Sequence, residues 1–183
     1  YITAHFGKWH LNGLRGPGAP ILIDDKYGPQ NFGFDHWLSV TNFFDINPLM
    51  SENGYFIDFK GNSSEIIFTE ALSFIKEKKN KEMPFFIVIW DGSPHSPFIA
   101  DDKDNIDFNN LDERSKNHYG ELVAFDNSLG DFRKGLQEIG ISNNTILWFN
   151  SDNGGLGKKQ NISPSTVGGL KGQKGDIWEG GIR

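Results

Sequence analysis

The chain of 183 residues contains no cysteine. Disulfide bonds, thiolate zinc sites and a cysteine nucleophile are therefore excluded within it, while the redox compartment stays open. No apolar run reaches the ~18 residues that a membrane-spanning helix needs. An excess of positive charge is also missing, because the net charge is −6. The chain as a whole thus offers no electrostatic footprint for nucleic acid or an anionic membrane, and any anion-binding site must be local.

The composition is that of a globular domain with a substantial core. Hydrophobic residues make up 37% of the chain and aromatic residues 14%, which is enough for one domain of ordinary size. The chain starts at Tyr1 without an initiator methionine or signal peptide and stops at Arg183 without a terminating pattern. We therefore expect an internal segment of a longer protein.

A strand, a helix and a second strand are predicted in the middle of the chain. Residues 85–90 and 145–149 are unbroken apolar runs, typical of strands covered on both faces of a parallel sheet. Between them, residues 111–139 carry one apolar stripe at spacings of three and four, ending before Gly140. The stripe consists of Leu122, Phe125, Leu129, Phe132, Leu136 and Ile139. Such a βαβ unit places both strands parallel, with their carboxyl ends on one side.

The remaining elements are shorter. Residues 33–40 and 55–59 have the aromatic and β-branched content of strands, separated by an irregular segment. A helix capped by Ser64 or Asn62 is predicted to follow. The prolines and glycines of residues 13–30 indicate a loop.

Polar residues follow both buried strands. His95 lies between two prolines just after the first strand, and Asp152-Asn153 followed by two glycines comes after the second. Ligands of open α/β sheets bind beyond the carboxyl ends of the strands. Asp and Asn supply hard oxygen ligands for Ca²⁺ or Mg²⁺, although two donors are fewer than the about six that Ca²⁺ takes.

Cationic residues flanked by glycines lie near both ends of the chain. Lys8 and His10 occur in FGKWHLNG, and Lys171 and Lys174 in LKGQKGDIWEGGIR. Lysines beside glycines can present charge and backbone N–H groups to an anion together. The spacing does not match a phosphate-binding P-loop.

Each of these features also has a plainer explanation. Asp152-Asn153 alone is typical of a turn, and His95 alone is equally a loop residue bonded to the backbone. Lys8 and His10 alone can share the solvent face of a strand. A functional site is favoured because the sheet topology brings at least two of these segments to the same edge.

Five segments resemble, in order and approximate spacing, the type I sulfatases of the alkaline phosphatase superfamily. They are Gly7-Lys8-Trp9-His10-Leu11, Gly33-Phe34-Asp35, Pro94-His95-Ser96-Pro97, Ser151-Asp152-Asn153-Gly154-Gly155, and Gly172-Gln173-Lys174-Gly175 with Glu179-Gly180-Gly181-Ile182-Arg183. The resemblance implies an α/β fold, with an alkaline-phosphatase-like, largely parallel sheet flanked by helices. Residues 1–183 would be the central part of the catalytic domain, without its N-terminal nucleophile region and C-terminal domain.

The resemblance also implies an activity and a role for each matched residue. Lys8 and Lys174 would contact the sulfate group of an ester, and His10 would support the nucleophile and assist breakdown of the sulfated intermediate. His95 would lie near the leaving oxygen, with Lys174 as a possible proton donor. Asp152 and Asn153 would bind Ca²⁺, with Mg²⁺ the less favoured ion. The substrate would be a sulfated glycan or an aryl sulfate, the parent protein would be exported, and neither nucleic acid nor a membrane span is implied.

The sequence departs from the family's pattern at two points. Leu11-Asn12-Gly13 replaces the usual Leu-Gly, and no Cys/Ser-x-Pro-x-Arg motif is present. We expect the formylglycine nucleophile, and the paired aspartates of the metal site, upstream of Tyr1, so that this segment alone would be inactive.

Two alternatives to a sulfatase remain. A phosphatase or phosphodiesterase of the same superfamily shares the sheet and the anion site, although it would use two metals. A non-catalytic binder of sulfated glycans would have lost the nucleophile. Phe43, Phe44 and Tyr55 could line a substrate pocket, although ordinary core packing is the favoured explanation of these residues.

Overall fold

A computed structural model describes residues 1–13, 18–42, 45–79, 83–157 and 164–183. Five strands form one mixed sheet in the order β4-β3-β2-β1-β5. Strand β1 is parallel to both β2 and β5, whereas β3 and β4 extend the sheet in antiparallel pairings. The strands are Ile2–Lys8 (β1), His36–Val40 (β2), Leu49–Glu52 (β3), Tyr55–Asp58 (β4) and Phe85–Trp90 (β5).

In the described residues, four helices accompany the sheet: Ser63–Lys78 (α1), Asp102–Asn105 (α2), Glu113–Glu138 (α3) and Glu179–Ile182 (α4). Short 3₁₀ turns occur at Pro29–Phe32, Ile106–Phe108 and Ser142–Asn144. The side chain of Asn62 caps α1 by accepting the backbone N–H of Ser64 at 2.9 Å, so Asn62, not Ser64, is the capping residue. In the described part of the chain, no helix is long and apolar enough to cross a membrane.

The main hydrophobic core lies between one face of the sheet and α1, with α3 packed against α1. Phe6 of β1 and Leu38 of β2 point into this core, where they meet Ile67 and Phe74 of α1. On α3, Phe132 and Leu136 complete it. The predicted α/β sheet flanked by helices is therefore confirmed.

A smaller aromatic cluster covers part of the opposite face of the sheet. Trp9, Ile21 and Trp37 are its buried members, and Phe34 packs against them. The His5 ring lies within 5.0 Å of the Trp9 ring, and its Nδ1 is 2.6 Å from the Ser39 hydroxyl. Alternation along β1 therefore sends Phe6 to the helical core and His5 to this second cluster.

The prediction of a buried strand at residues 145–149 is wrong for the structure described. These residues pair with no described strand, and Ile146 and Trp148 are 94% and 82% exposed. We call residues 145–149 the apolar segment. Strand β5 is only partly covered on the face opposite the helices: Phe86 is 55% exposed there, and Trp90 is 42% exposed although its ring stacks on Trp9. A strand needs a paired neighbour, and the described residues supply none for the apolar segment, although the Phe149 ring contacts Phe125 of α3.

Several other elements differ from expectation in detail. Strands β1 and β3 were not predicted, and β3 falls within the segment predicted to be irregular. The predicted long helix is present, although its Leu122 is 38% exposed while Glu121 is buried. In the predicted loop at 13–30, the described residues form turns that end in the 3₁₀ turn at Pro29–Phe32, and residues 14–17 lie outside the described part.

Candidate active site

Lys8 is the last residue of β1, and a glycine fixes the position of this strand end. Gly7 pairs with Trp90 of β5, and its φ of 103° lies in the left-handed region that favours glycine. A Cβ atom at Gly7 would lie 2.1 Å from the Trp90 carbonyl oxygen. Only glycine therefore permits this approach of β1 to β5, from which the half-buried Lys8 projects.

The segment after β1 forms a turn that is fixed by side-chain hydrogen bonds to the neighbouring loop. Trp9 is buried, and its indole N–H donates to the Tyr27 carbonyl at 2.6 Å. His10 has a left-handed φ of 53° and is exposed. Asn12, where the sequence departs from the family's pattern, donates to Asp25 at 2.8 Å. This residue therefore ties the turn to the neighbouring loop.

His95 lies in the loop after β5, which we call the His95 loop (residues 91–100). Both prolines beside His95 follow cis peptide bonds. Nδ1 of His95 lies 2.9 Å from the Ser96 carbonyl, which can only accept, so Nδ1 carries the proton. The neutral ring therefore has its lone pair on Nε2.

Asp152 and Lys174 are brought together by glycine packing between two distant segments. The Lys174 N–H donates to the Gly155 carbonyl at 2.8 Å, and the Gly154 N–H donates to Gly181 at 3.0 Å. A Cβ atom on Gly154 would lie 2.0 Å from the Gly180 carbonyl oxygen. The glycines of both segments thus allow the backbone around Gly180 to pack against the backbone that follows Asp152-Asn153.

Four of the six predicted site residues influence one another electrostatically. Burial lowers the pKa of Lys8, and the charge of Lys174 lowers it further while Asp152 raises it. Burial also lowers the pKa of His95; Lys8 and Lys174 act in the same direction, against the Ser96 carbonyl and Asp152. The ends of β1 and β5 and the two glycine-rich segments therefore converge on one charged region. His10 lies two residues beyond Lys8 and is exposed to solvent.

Asp152 and Asn153 fit Ca²⁺ by the chemistry of their oxygen atoms. Asp152 is exposed, and its neighbour Asn153 is partly exposed. In residues 1–13, 18–42, 45–79, 83–157 and 164–183, no group of three or more His, Asp or Glu side chains could hold a metal ion. The two residues are thus suited to be part of an oxygen site, which needs further donors from outside the described residues.

Two functional features were missed by the sequence reasoning. Asn117 and Glu121 of α3 accept backbone N–H groups of the His95 loop, at 3.0 Å from Ala100 and 2.6 Å from Ile99. Glu121 could have been found, because it lies one helical turn before Phe125, on the buried stripe. Of the suggested pocket residues, Tyr55 is 79% exposed, and Phe43 and Phe44 lie outside the described part.

The fold is that of an α/β protein whose cationic side chains cluster beyond the ends of two strands, and the comparisons with known proteins identify its family. The Sulfatase family model matches residues 1–183. The chain belongs to the sulfatase family, which confirms the resemblance seen in its motifs.

Individual relatives agree with this assignment. The N-acetylgalactosamine-6-sulfatase of Canis lupus familiaris is 30% identical over 204 residues, covering 100% of this chain and 36% of the relative. The Ulvan-active sulfatase of Formosa agariphila is 24% identical and covers 100% and 37%. The chain therefore spans about a third of the length of these curated relatives.

A solved structure shares the whole fold of the chain. The crystal structure of Ps i-CgsB in complex with k-i-k-neocarrahexaose superposes with a TM-score of 0.83 at 25% identity. The superposition covers 100% of this chain and 43% of that structure. The mixed sheet with its flanking helices is thus part of an alkaline-phosphatase-like sulfatase domain.

Proposed function

We propose that the protein carrying this chain hydrolyses sulfate esters of carbohydrates. The observation that carries the proposal is the convergence of Lys8, His95, Lys174 and Asp152 on one region beyond the ends of β1 and β5. Two lysines and a histidine around one carboxylate leave a net positive charge, which suits an anionic ester group. The names of the sulfatase relatives and the carrahexaose-bound structure support a sulfated glycan as the substrate class.

In this proposal the side chains divide the work of binding the anion and releasing the alcohol. Lys8 and Lys174 hold the sulfate oxygens, and Lys174 also supplies a proton to the departing oxygen. His95 contacts the group near the leaving oxygen, and burial, together with the charges of Lys8 and Lys174, lowers the pKa of its ring. His10 stands next to the nucleophile.

The proposal includes Ca²⁺ and a formylglycine nucleophile, with the nucleophile supplied by a part of the protein outside this chain. Asp152 and Asn153 would be two of the ligands of Ca²⁺, and the bound ion would polarise the sulfate group. The absence of a Cys/Ser-x-Pro-x-Arg motif in the 183 residues means that the chain alone should not turn over sulfate esters. Turnover by the isolated chain would contradict this part of the proposal.

The experiment compares matched esters on the whole protein. We expect hydrolysis of a sulfated monosaccharide or aryl sulfate, and little hydrolysis of the corresponding phosphate. Preference for the phosphate ester would favour the phosphatase alternative and overturn the proposal. Binding of a sulfated oligosaccharide without any turnover, together with a residue other than Cys or Ser at the nucleophile position, would instead identify a non-catalytic binder.

We also propose that the protein is exported, as its resemblance to the sulfatase family implies. Fractionation of the source cells, followed by detection of the protein in periplasm, medium or lysosome, is the corresponding measurement. Recovery in the cytoplasmic fraction alone would contradict it.

A further inference from the structure

Three carboxyl groups from separate parts of the chain are buried behind the His95 loop. Glu121 belongs to α3 and is 1% exposed, and Asp45 lies between β2 and β3 and is 8% exposed. Asp91 is the first residue after β5, and its Oδ2 atom is buried although the residue is partly exposed. We call Asp45, Asp91 and Glu121 the carboxyl cluster.

Each member of the carboxyl cluster has an oxygen without a hydrogen-bond partner in the described structure. These atoms are Oδ1 of Asp45, Oδ2 of Asp91 and Oε2 of Glu121. Unpaired buried carboxylate oxygens are costly, and the cost falls when a carboxyl group holds a proton and can donate it to a neighbour. A proton held by one member of the cluster therefore lowers this cost.

The electrostatics of the cluster agree with shared protons. Burial raises the pKa of Glu121 to about 9, with Asp45 and Asp91 adding to the rise against the Ile99 N–H. Burial also raises the pKa of Asp45 to about 6, and Asp91 contributes. For Asp91, burial raises the pKa to about 6 against hydrogen bonds from backbone N–H groups and the nearby Ser64 hydroxyl. At pH 7 these effects favour the protonated, neutral form of Glu121.

The cluster is connected to the candidate active site through the backbone of the His95 loop. Oδ1 of Asp91 accepts the Ser93 N–H at 2.9 Å, at the start of the loop. Oε1 of Glu121 accepts the Ile99 N–H at 2.6 Å, four residues after His95. Both ends of the segment that carries His95 are thus fixed by members of the cluster.

We propose that Glu121 positions His95 by acting as a neutral carboxyl group: its Oε1 atom accepts the Ile99 N–H and so fixes the His95 loop to α3, while its buried Oε2 atom carries a proton. This inference deepens the proposed function, on which only its activity measurement rests. Glutamine keeps the acceptor oxygen for Ile99 and an uncharged N–H group in place of the protonated oxygen, whereas alanine removes both. The pair of variants E121Q and E121A therefore separates a neutral positioning group from a required negative charge.

The first test is amide hydrogen exchange on the whole protein, which needs no enzymatic activity. E121A should speed exchange at Ile99 at least ~10-fold, whereas E121Q should stay close to the wild type. The matched controls are E138Q and E138A, because Glu138 lies on the same helix and is exposed. Equal protection in E121A and the wild type would overturn the proposal, and so would loss of protection in E121Q.

The second test is the pH dependence of the unfolding midpoint. A carboxyl group whose pKa is raised in the folded state stabilises it at low pH, and this contribution disappears as the pH rises through the folded pKa. The wild type should therefore lose stability relative to E121Q as the pH rises towards 9. Parallel curves for the two proteins would overturn the proposal. A rise in midpoint with CaCl₂ that E121Q abolishes would also overturn it, by showing a cation site.

The third test is kinetic. E121A should lower kcat about 10- to 100-fold, as misplacement of a catalytic loop does, with a smaller change in KM. E121Q should remain within about threefold of the wild type. Inactive E121Q with normal exchange and stability would contradict the neutral positioning role. A wild type without sulfatase activity would contradict only the proposed function, because the first two tests would still apply.

Discussion

Lys174 is the residue whose place in the site depends most directly on the fold around it. Its N–H bonds to Gly155, and its charge affects both Lys8 and His95. In the proposed function, Lys174 stabilises charge that develops in the transition state, and the hydrogen bond to Gly155 fixes the backbone from which its side chain extends.

We therefore expect Lys174→Ala to lower turnover of a sulfate ester by at least ~100-fold in the whole protein. Lys171→Ala is the matched control, because Lys171 lies over the Trp178 ring at 3.4 Å and should matter much less. Steady-state kinetics on both variants measure the two changes in kcat. A change smaller than threefold in Lys174→Ala would remove this residue from the site.

His5 permits a prediction about acid stability. It is fully buried, and burial lowers its pKa to about 3. The unfolded chain takes up a proton at this histidine below about pH 6.5 while the folded chain does not, so stability falls as the pH falls from 6.5 towards 3. The slope is about 1.4 kcal/mol per pH unit.

The measurement is chemical unfolding of the wild type and His5→Asn at several pH values. Asparagine keeps a polar atom near the Ser39 hydroxyl without a titrating ring. The difference between the two free energies of unfolding should shrink as the pH falls through this range. A constant difference would show that His5 is protonated in the folded protein.

Among the secondary-structure elements, α3 contains glycines in contrasting surroundings. A Cβ atom at Gly120 would lie 2.7 Å from the Ala100 Cβ and 2.9 Å from the Asn105 Cβ. At Gly130 nothing lies within 4 Å. The first glycine lets α3 approach α2 and the His95 loop, and the second has no packing role in the described structure.

Gly120→Ala should therefore destabilise the protein by about 1–3 kcal/mol, because neither neighbouring atom is the end of a flexible side chain. Gly130→Ala should stabilise it by about 0.5–1 kcal/mol, because alanine is the better helix former. Thermal or denaturant unfolding of both variants compares them directly. Equal effects would contradict the close packing at Gly120.

Local signals predicted some elements well and others poorly. The cap at Asn62 and the apolar run of β5 are properties of neighbouring residues, and both elements form as expected. Strand β3 is short and polar, and it forms because Met50 packs in the core beside β2. The apolar segment at 145–149 has strand composition, but its conformation depends on partners that no local pattern describes.

The candidate site follows the same division. Lys8, His95, Asp152 and Lys174 could be selected from motifs, because glycines and prolines around them mark unusual backbone. Their convergence could be expected only from the topology of the sheet. Glu121 was missed because a single glutamate on a helix ordinarily faces solvent.

At the scale of the whole molecule, one exposed surface stands out. The apolar segment and the outer face of β5 expose several large side chains, among them Trp148 and Phe149 at 82% and 65%. An unpaired sheet edge beside exposed apolar residues favours association with other chains.

We expect the isolated 183-residue chain to self-associate, and the double substitution Trp148→Lys, Phe149→Lys to reduce this association. Tyr55→Lys is the matched control, since Tyr55 is 79% exposed at the opposite edge of the sheet. Sedimentation velocity at several concentrations distinguishes the three proteins. A monomeric wild-type chain would contradict the expectation.

The contact of Lys171 with the Trp178 ring gives the molecule an intrinsic optical signal. Trp178 lies four residues after Lys174, on the segment that the glycine packing holds behind Asp152. A cation 3.4 Å above an indole ring perturbs its excited state, so any shift of this segment changes the fluorescence of Trp178. The chain has five tryptophans. Subtracting the emission spectrum of Trp178→Phe from that of the wild type isolates the contribution of Trp178. Titration with inorganic sulfate would then report anion binding at Lys174 as a change in the emission wavelength and intensity of Trp178, without any substrate.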